Sequence, residues 1–313
     1  MSAPSSRRST GARAWLEAIR RDRKATVGAL ILLGFALVAL IGPLLVGDPT
    51  ALVAMPLQPP NAAHWLGTTG QGQDVLAQTV VGTRVSLVIG FAVGIVVVLV
   101  GSLVGVTAGY FGGRVDGALS LLFNVFLVIP GLPLAIVMAA YLPSGPLTVA
   151  AVLIFTGWAW NARVVRGQTL ALRRRDFVAA SLVSGESSLR IITREILPNM
   201  TSLLVAQVIG SSVYAIGALV GLEFLGLGDV SSVTWGTNLY WASNDSALLT
   251  GAWWTYVPTG LCVALVGFGL VMLNSGFDEI TNPRLQMERA WRAHLAAAGQ
   301  KATRSTPVVT PHG

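Results

Sequence analysis

Side chains that could perform covalent or metal chemistry are scarce in this sequence and match no catalytic pattern. The two lysines, Lys24 and Lys301, lie outside any Gly-rich phosphate-binding loop of the kind that ends in Lys followed by Ser or Thr. The single cysteine, Cys262, cannot form an internal disulfide, and the three histidines are widely separated. We therefore predict no catalytic residue, no bound metal, no cofactor and no ATP hydrolysis by this chain.

Polar or helix-breaking residues inside long apolar stretches are a second kind of candidate, because a charge at the centre of a bilayer costs at least about 2.5–3.5 kcal/mol. The candidates for a translocation path are Asn124, Pro130, Pro133, Gln207, Tyr214 and Glu223. Simpler roles remain open for them. The amides could equally form interhelical hydrogen bonds, and the prolines could simply kink a packed helix. Glu223 lies near the outer end of its stretch, where water or a local cap could satisfy it.

The elements that must position these side chains are long apolar helices. Of the 313 residues, 53% are hydrophobic and 11% are charged, whereas a soluble domain is about 25% charged. Six apolar stretches approach the roughly 20 residues that span a bilayer core. They run through residues 25–46, 85–108, 118–142, 147–165, 203–224 and 253–273. We predict an all-α polytopic membrane protein with about six transmembrane helices.

The basic residues predict the orientation of these helices. Twenty of the 21 lysines and arginines fall on one side of the predicted membrane, and only Arg84 falls on the other. The positive-inside rule then places both termini in the cytoplasm, which explains the net charge of +7 without nucleic acid. The predicted organisation is a basic segment (1–24), a first anchor (25–46), an extracytoplasmic loop (47–84) and a core of five transmembrane helices (85–280). The core includes a cytoplasmic loop (166–199), and a cytoplasmic tail (281–313) follows, whose end we expect to be disordered.

Glycines recur along the second apolar stretch at a spacing that predicts close helix packing. They are Gly90, Gly94, Gly101, Gly105 and Gly109. Glycines four residues apart share one face of a helix, and such a face lets two backbones approach closely in lipid. We predict that these residues pack helices together and perform no chemistry.

The loop between the fourth and fifth stretches is the most informative segment. It is predicted to form two short helices that are separated at Gly185, a residue type that commonly ends helices, and Ser187 is a natural helix start. Leu189, Ile192 and Ile196 have helical spacing, which predicts an apolar face on the second helix. A short cytoplasmic helix with small residues at its end could sit in a groove of a partner protein, or it could be an ordinary amphipathic surface helix.

The same loop resembles the coupling-loop signature of ATP-binding-cassette importer permeases. That signature is Glu-Ala-Ala, three residues and Gly, with Leu-Pro further on, and here Gly185 and Leu197-Pro198 match it. Ala179-Ala180-Ser181 stands where the family usually has Glu-Ala-Ala, so the glutamate is missing. The resemblance implies that the ATPase-coupling residues are Phe177, Val178, Ala179, Ala180, Ser181, Leu182, Val183, Ser184, Gly185, Glu186, Ser187, Leu197 and Pro198.

Other segments narrow the resemblance to C-type permeases of the dipeptide/oligopeptide/nickel branch. They are Leu66-Gly67-Thr68 with Gly72-Gln73-Asp74-Val75-Leu76, Gly82-Thr83-Arg84-Val85-Ser86-Leu87, Gly109-Tyr110-Phe111-Gly112-Gly113 with Val115-Asp116, Phe224-Leu225-Gly226-Leu227-Gly228, Trp235-Gly236 and Asn282-Pro283-Arg284-Leu285. Each segment is a weak signal alone, whereas their order and spacing together are specific.

This resemblance implies a type I importer permease in the cell membrane that forms a heterodimer with a second, homologous permease subunit. Its other implied partners are two cytoplasmic ATPase subunits, an extracytoplasmic solute-binding protein and membrane lipid, with no nucleic acid. Di- and oligopeptides are the expected cargo, and oligosaccharide, nickel or another small solute are alternatives on the same fold. An ion-driven secondary transporter is an alternative of a different class, but the sequence shows neither the paired intramembrane charges nor the internal repeats typical of such carriers.

Overall fold

A computed structural model of the protein describes residues 22–281, and within that range helices account for all the regular structure. In chain order the helices are α1 (Arg23–Leu45), α2 (Val75–Phe111), α3 (Gly113–Val128), α4 (Gly131–Tyr141), α5 (Pro146–Arg173), α6 (Asp176–Val183), α7 (Ser188–Ile191), α8 (Leu197–Asn199), α9 (Thr201–Phe224), α10 (Trp235–Asn244), α11 (Ala247–Thr250) and α12 (Val257–Thr281). A π-helical turn, Ile192–Ile196, joins α7 to α8, and a 3₁₀ turn, Trp253–Thr255, precedes α12.

Five to six spans can be traced through the described residues. Helices α1, α2, α5, α9 and α12 are each long and apolar enough to cross a membrane, and α3 with α4, a pair bent by 82°, make a sixth span if the two helices cross as one. The bend lies at Ile129 and Pro130, where the sequence predicts a kink or a break because proline disrupts a helix. The predicted all-α fold with about six spans is confirmed for this part of the chain.

Two of these helices extend well beyond the apolar stretches that predict them. Helix α2 begins at Val75 and α5 continues to Arg173, whereas the stretches start at residue 85 and end at residue 165. At the start of α2, the carboxylate of Asp74 accepts a hydrogen bond of 3.0 Å from the backbone N–H of Ala77, which caps the helix. Hydropathy detects only the part of a helix that matches the bilayer, so the polar turns outside it are missed.

Helix α2 lies at the centre of the bundle and packs against α1, α5 and α9. It has 37 residues, which at 1.5 Å per residue gives a length of about 55 Å. Its five predicted packing glycines divide between two neighbours, with Gly90 and Gly94 against α9 and Gly101, Gly105 and Gly109 against α5. Because these positions lack a side chain, the three helices approach closely along most of the length of α2.

The predicted outer end of the bundle is closed by α10, which folds back against the spans. Trp235, at its first position, is fully buried. Its backbone N–H donates to Ser86 Oγ at 3.0 Å and its indole N–H donates to Thr83 Oγ1 at 3.3 Å, and both acceptors lie on α2. The first turn of α10 is therefore fixed to the central helix.

Candidate functional site

The first candidate is the segment 176–199, which we call the coupling segment. Its helix α6 ends in a Schellman motif, because the N–H of Gly185 donates to Leu182 O and the N–H of Glu186 donates to Ser181 O, both at 3.1 Å. Gly185 has a φ of +75°, the left-handed conformation that this motif requires. The predicted end of the first short helix therefore coincides with a sharp, glycine-dependent turn.

One side chain of α6 attaches the coupling segment to the membrane-spanning helices. Val178 has no exposed surface and packs in a cluster with residues of α2, α5 and the segment itself. The members of this cluster are Val106, Tyr110, Val165, Val178, Ile191, Ile196 and Met200. A displacement of α6 would thus act on the adjacent ends of both α2 and α5.

Other apolar side chains of α6 are exposed to its surroundings. Phe177, Leu182 and Val183 are 38%, 50% and 90% exposed. The remaining residues of the predicted coupling set are exposed or half-buried, namely Ala179, Ala180, Ser181, Ser184, Gly185, Glu186, Ser187, Leu197 and Pro198. Exposed apolar side chains on a short helix with one buried attachment point suit a surface that a partner covers.

The second half of the coupling segment differs from the predicted apolar face. Leu189 is 73% exposed, whereas Ile191 and Ile196 are buried. The physical reason is the π-helical turn, in which the N–H of Leu197 bonds to the carbonyl of Ile192, five residues earlier. This wider turn places residues five apart on one face, so the 3.6-residue spacing used in the prediction no longer applies.

The sequence did not predict how two polar side chains of the coupling segment behave. Ser187 precedes α7 but its side chain makes no capping hydrogen bond. The carboxylate of Glu186 pairs with Arg190 at 2.7 Å, one helical turn later. Glu186 therefore stabilises the start of the second helical piece.

The second candidate is a cavity of about 620 Å³ that lies between α2, α5, α9 and the bent pair α3–α4. Its lining residues are Val93, Val97, Phe126, Leu127, Ile129, Gly131, Leu153, Thr156, Gly157, Trp160, Asn161, Ala206, Gln207, Gly210, Ser211, Tyr214 and Ala215. None of these side chains is acidic or basic. The volume falls within the range of roughly 300–1,000 Å³ that is typical of small-molecule sites.

The predicted path residues do not all meet at this cavity. Gln207 and Tyr214 line it, and the break before α4 borders it through Ile129 and Gly131. Asn124, Pro130 and Pro133 are exposed and are not among the lining residues. The cavity also contains Asn161, which the sequence did not single out, and its amide donates to Ser211 Oγ at 3.2 Å.

Glu223 lies away from the cavity, at the C-terminal end of α9, and is only 1% exposed. Its carboxylate accepts a hydrogen bond of 2.6 Å from the hydroxyl of Thr234, the residue that caps α10. Gly236 packs directly against the same side chain, because a Cβ at Gly236 would overlap Glu223. Within the described residues Glu223 therefore connects the end of α9 to the start of α10, which a linear sequence could not reveal.

A bidentate ion pair at the predicted cytoplasmic ends of α3 and α5 was also missed by the sequence. Arg166 donates from Nε to Asp116 Oδ1 at 2.5 Å and from Nη2 to Asp116 Oδ2 at 2.7 Å. The hydroxyl of Ser120 donates to the same carboxylate at 3.0 Å. Because the partners are 50 residues apart, no local spacing signals the pair, which fixes the start of the bent span to the helix that leads into the coupling segment.

Comparison with known proteins gives a consistent result. Residues 101–285 match the family described as binding-protein-dependent transport system inner membrane component. The chain is 32% identical over 275 residues to the dipeptide transport system permease protein DppC of Bacillus subtilis, covering 86% of this chain and 84% of the relative. It is 32% identical over 281 residues to the oligopeptide transport system permease protein OppC of the same organism, covering 87% and 90%. Identity to OppC of Mycobacterium tuberculosis is 35% over 224 residues, covering 68% and 76%.

Proposed function

This chain belongs to the family of binding-protein-dependent transport system inner membrane components, and from that membership we propose that it forms one half of an ATP-driven path for di- and oligopeptides. It is a multi-pass permease subunit of an ATP-binding-cassette importer and not itself an enzyme. The family implies ATPase and solute-binding-protein partners. The cargo, the number of each partner and the orientation in the membrane are part of the proposal.

The observation that carries the proposal is the attachment of α6. The helix presents Phe177, Leu182 and Val183 outward and has Val178 buried among residues of α2 and α5. In the proposed complex an ATPase subunit covers these exposed side chains, and its movement on nucleotide binding pushes Val178 against the two spans. A packed cluster transmits such a displacement because protein interiors are close-packed and deform little.

Peptide cargo is supported by two independent observations. Relatives with 32% identity over most of the chain are named dipeptide and oligopeptide permeases. The cavity between the spans is large and carries no charged side chain. An uncharged wall suits a cargo whose side chains vary, because no fixed charge favours one peptide over another.

A second permease subunit completes the proposed path. The outer surfaces of α3 and α4 beside the cavity expose large apolar side chains, which include Leu121, Val125, Val128 and Val137. We place a homologous subunit against these helices and lipid against the exposed apolar residues of α1. Both termini and the coupling segment lie on the cytoplasmic side in this arrangement, as the arginine distribution favours.

Reconstitution of the complete importer in proteoliposomes tests the proposal. The chain is combined with its second permease, ATPase subunits and binding protein, and uptake of a labelled tripeptide is measured. We expect uptake only when ATP is on the side of the membrane that carries the ATPases and the loaded binding protein is on the other side. Uptake that persists without ATP but stops when the proton gradient is dissipated would contradict the proposal. Uptake of a sugar or nickel instead of peptide would contradict the proposed cargo.

A further inference from the structure

We infer that Gln207 is a specificity-determining residue that recognises the main-chain amide of a peptide in transit, an inference that rests on the proposed peptide path. Gln207 lies in the second turn of α9 and lines the 620 Å³ cavity. Ser211 and Tyr214 line the same cavity four and seven residues later, so the three polar side chains share one face of the helix.

The side-chain amide of Gln207 has no hydrogen-bond partner among the described residues. Both Oε1 and Nε2 are buried atoms without a donor or acceptor in reach, so a ligand meets them only when the side chain turns into the adjoining cavity. Asn161, the other amide in the cavity, is instead satisfied by Ser211 at 3.2 Å. Buried polar groups are normally hydrogen-bonded, so an unpaired amide at a cavity wall indicates a position where a ligand supplies the missing partner.

The chemistry of the wall points to the peptide group as that ligand. A primary amide offers one acceptor and two donors, which complement the C=O and N–H of a main-chain amide in a two-point contact. No acidic or basic side chain lines the cavity, so the contact does not depend on the charge of the peptide side chains. Gly210, between Gln207 and Ser211, has nothing within 4 Å of the position that a Cβ would occupy, which leaves space in the wall into which the Gln207 side chain can turn.

Transport of paired peptides by the reconstituted importer tests this inference. A tripeptide and its analogue with N-methylated peptide bonds are compared at saturating concentrations of loaded binding protein, so that the rates report steps after docking. In the wild type we expect the N-methylated peptide to move about fivefold more slowly, since one hydrogen bond is lost. In Gln207→Met the unmodified peptide should slow to the same rate, and the difference between the two peptides should disappear.

Two further variants serve as controls. Val208→Met introduces the same side chain at the next residue, which does not line the cavity, and it should behave as wild type. Gln207→Asn retains the amide on a shorter side chain and should keep part of the preference for the unmodified peptide. Wild-type rates and preference in Gln207→Met, or an equal loss of rate and preference in Val208→Met, would overturn this inference and leave the proposed function standing. Failure of the wild type to transport either peptide would overturn the proposed cargo as well.

Discussion

Glycine is needed at position 185 both for its backbone conformation and because it adds no side chain to the surface there. Its φ of +75° costs an L-residue roughly 1–2 kcal/mol. Nothing in the chain lies within 4 Å of the position that a Cβ would occupy, so a large side chain would project outward from the end of α6. With glycine at the turn, no side chain protrudes there next to the surface that we assign to the ATPase.

Replacing Gly185 with tryptophan should uncouple transport without preventing membrane insertion. We expect ATP-driven peptide uptake below about a tenth of the wild-type rate, because the added ring would separate α6 from its partner and a loss of 1.4 kcal/mol or more is tenfold. Uptake in proteoliposomes and the amount of inserted protein are measured together.

The matched control is Gly251→Trp. Gly251 also has a positive φ, +74°, and open space around it, but it lies in the segment before α12, on the predicted outer side. The control should retain copurification with the ATPase subunits, which Gly185→Trp should weaken. Normal uptake by Gly185→Trp would count strongly against the coupling assignment.

The sequence predicts the role of a residue when the residues that it contacts lie nearby in the chain, and not when they lie far away. The turn at Gly185 could be predicted because a helix end is a local event. Neither the pairing of Asp116 with Arg166 nor the burial of Glu223 could be predicted, since each depends on a helix distant in the chain. Glu223 in particular is buried because α10 folds back over the end of α9, a tertiary event that leaves no periodic signal.

At the scale of elements, the contact between α2 and α5 depends on the absence of side chains. A Cβ on Gly101 would lie 2.6 Å from the Cβ of Asn161 and 2.9 Å from the backbone N of Ala162. Both neighbours belong to the opposing helix and neither is the end of a flexible side chain. The two helices would have to separate to admit even a methyl group.

Gly101→Ala should therefore destabilise the protein by about 1–3 kcal/mol, the usual cost of overpacking. The measurement is the thermal unfolding temperature of the purified chain in detergent, with the fraction of monodisperse protein as a second readout. Gly34→Ala is the control, because nothing lies within 4 Å of a Cβ at Gly34 on α1. An unchanged unfolding temperature for Gly101→Ala would contradict the close contact.

The elements themselves were largely predictable, whereas their ends and neighbours were not. Apolar length predicted the spans because the bilayer core sets the minimum length of a helix that crosses it. The start of α2 at Val75 was missed because the first turns of the helix, which Asp74 caps, lie outside the apolar stretch. The glycine spacing predicted a packing face, but it could not show that α9 covers Gly90 while α5 covers Gly101.

At the scale of the whole molecule, the proposed orientation has a direct test by labelling. In a Cys262→Ser background, Ala62→Cys and Ser187→Cys each introduce one exposed thiol, in the segment before α2 and in the coupling segment respectively. A membrane-impermeant maleimide should label Ala62→Cys in intact cells or spheroplasts. It should label Ser187→Cys only in inverted vesicles, because the positive-inside rule predicts that the arginine-rich loop lies in the cytoplasm.

The reverse labelling pattern would place the coupling segment outside and would remove the route for ATPase contact. Labelling of both thiols from one side would instead indicate that the number of crossings between residues 62 and 187 is even. The three helical passages between them, α2, the bent pair α3–α4 and α5, require opposite sides.

The bend before α4 has a consequence for how well the membrane remains sealed. The first four amide positions of a helix have no partner within it, and each unpaired N–H in hydrocarbon is costly. At α4 these positions are Pro130, Gly131, Leu132 and Pro133, since the first bond runs from Leu134 to Pro130 O. Proline has no N–H, so only two donors need solvation instead of four. A helix can thus begin within the bilayer without a wide column of water, and the resting barrier to ion leakage is easier to maintain.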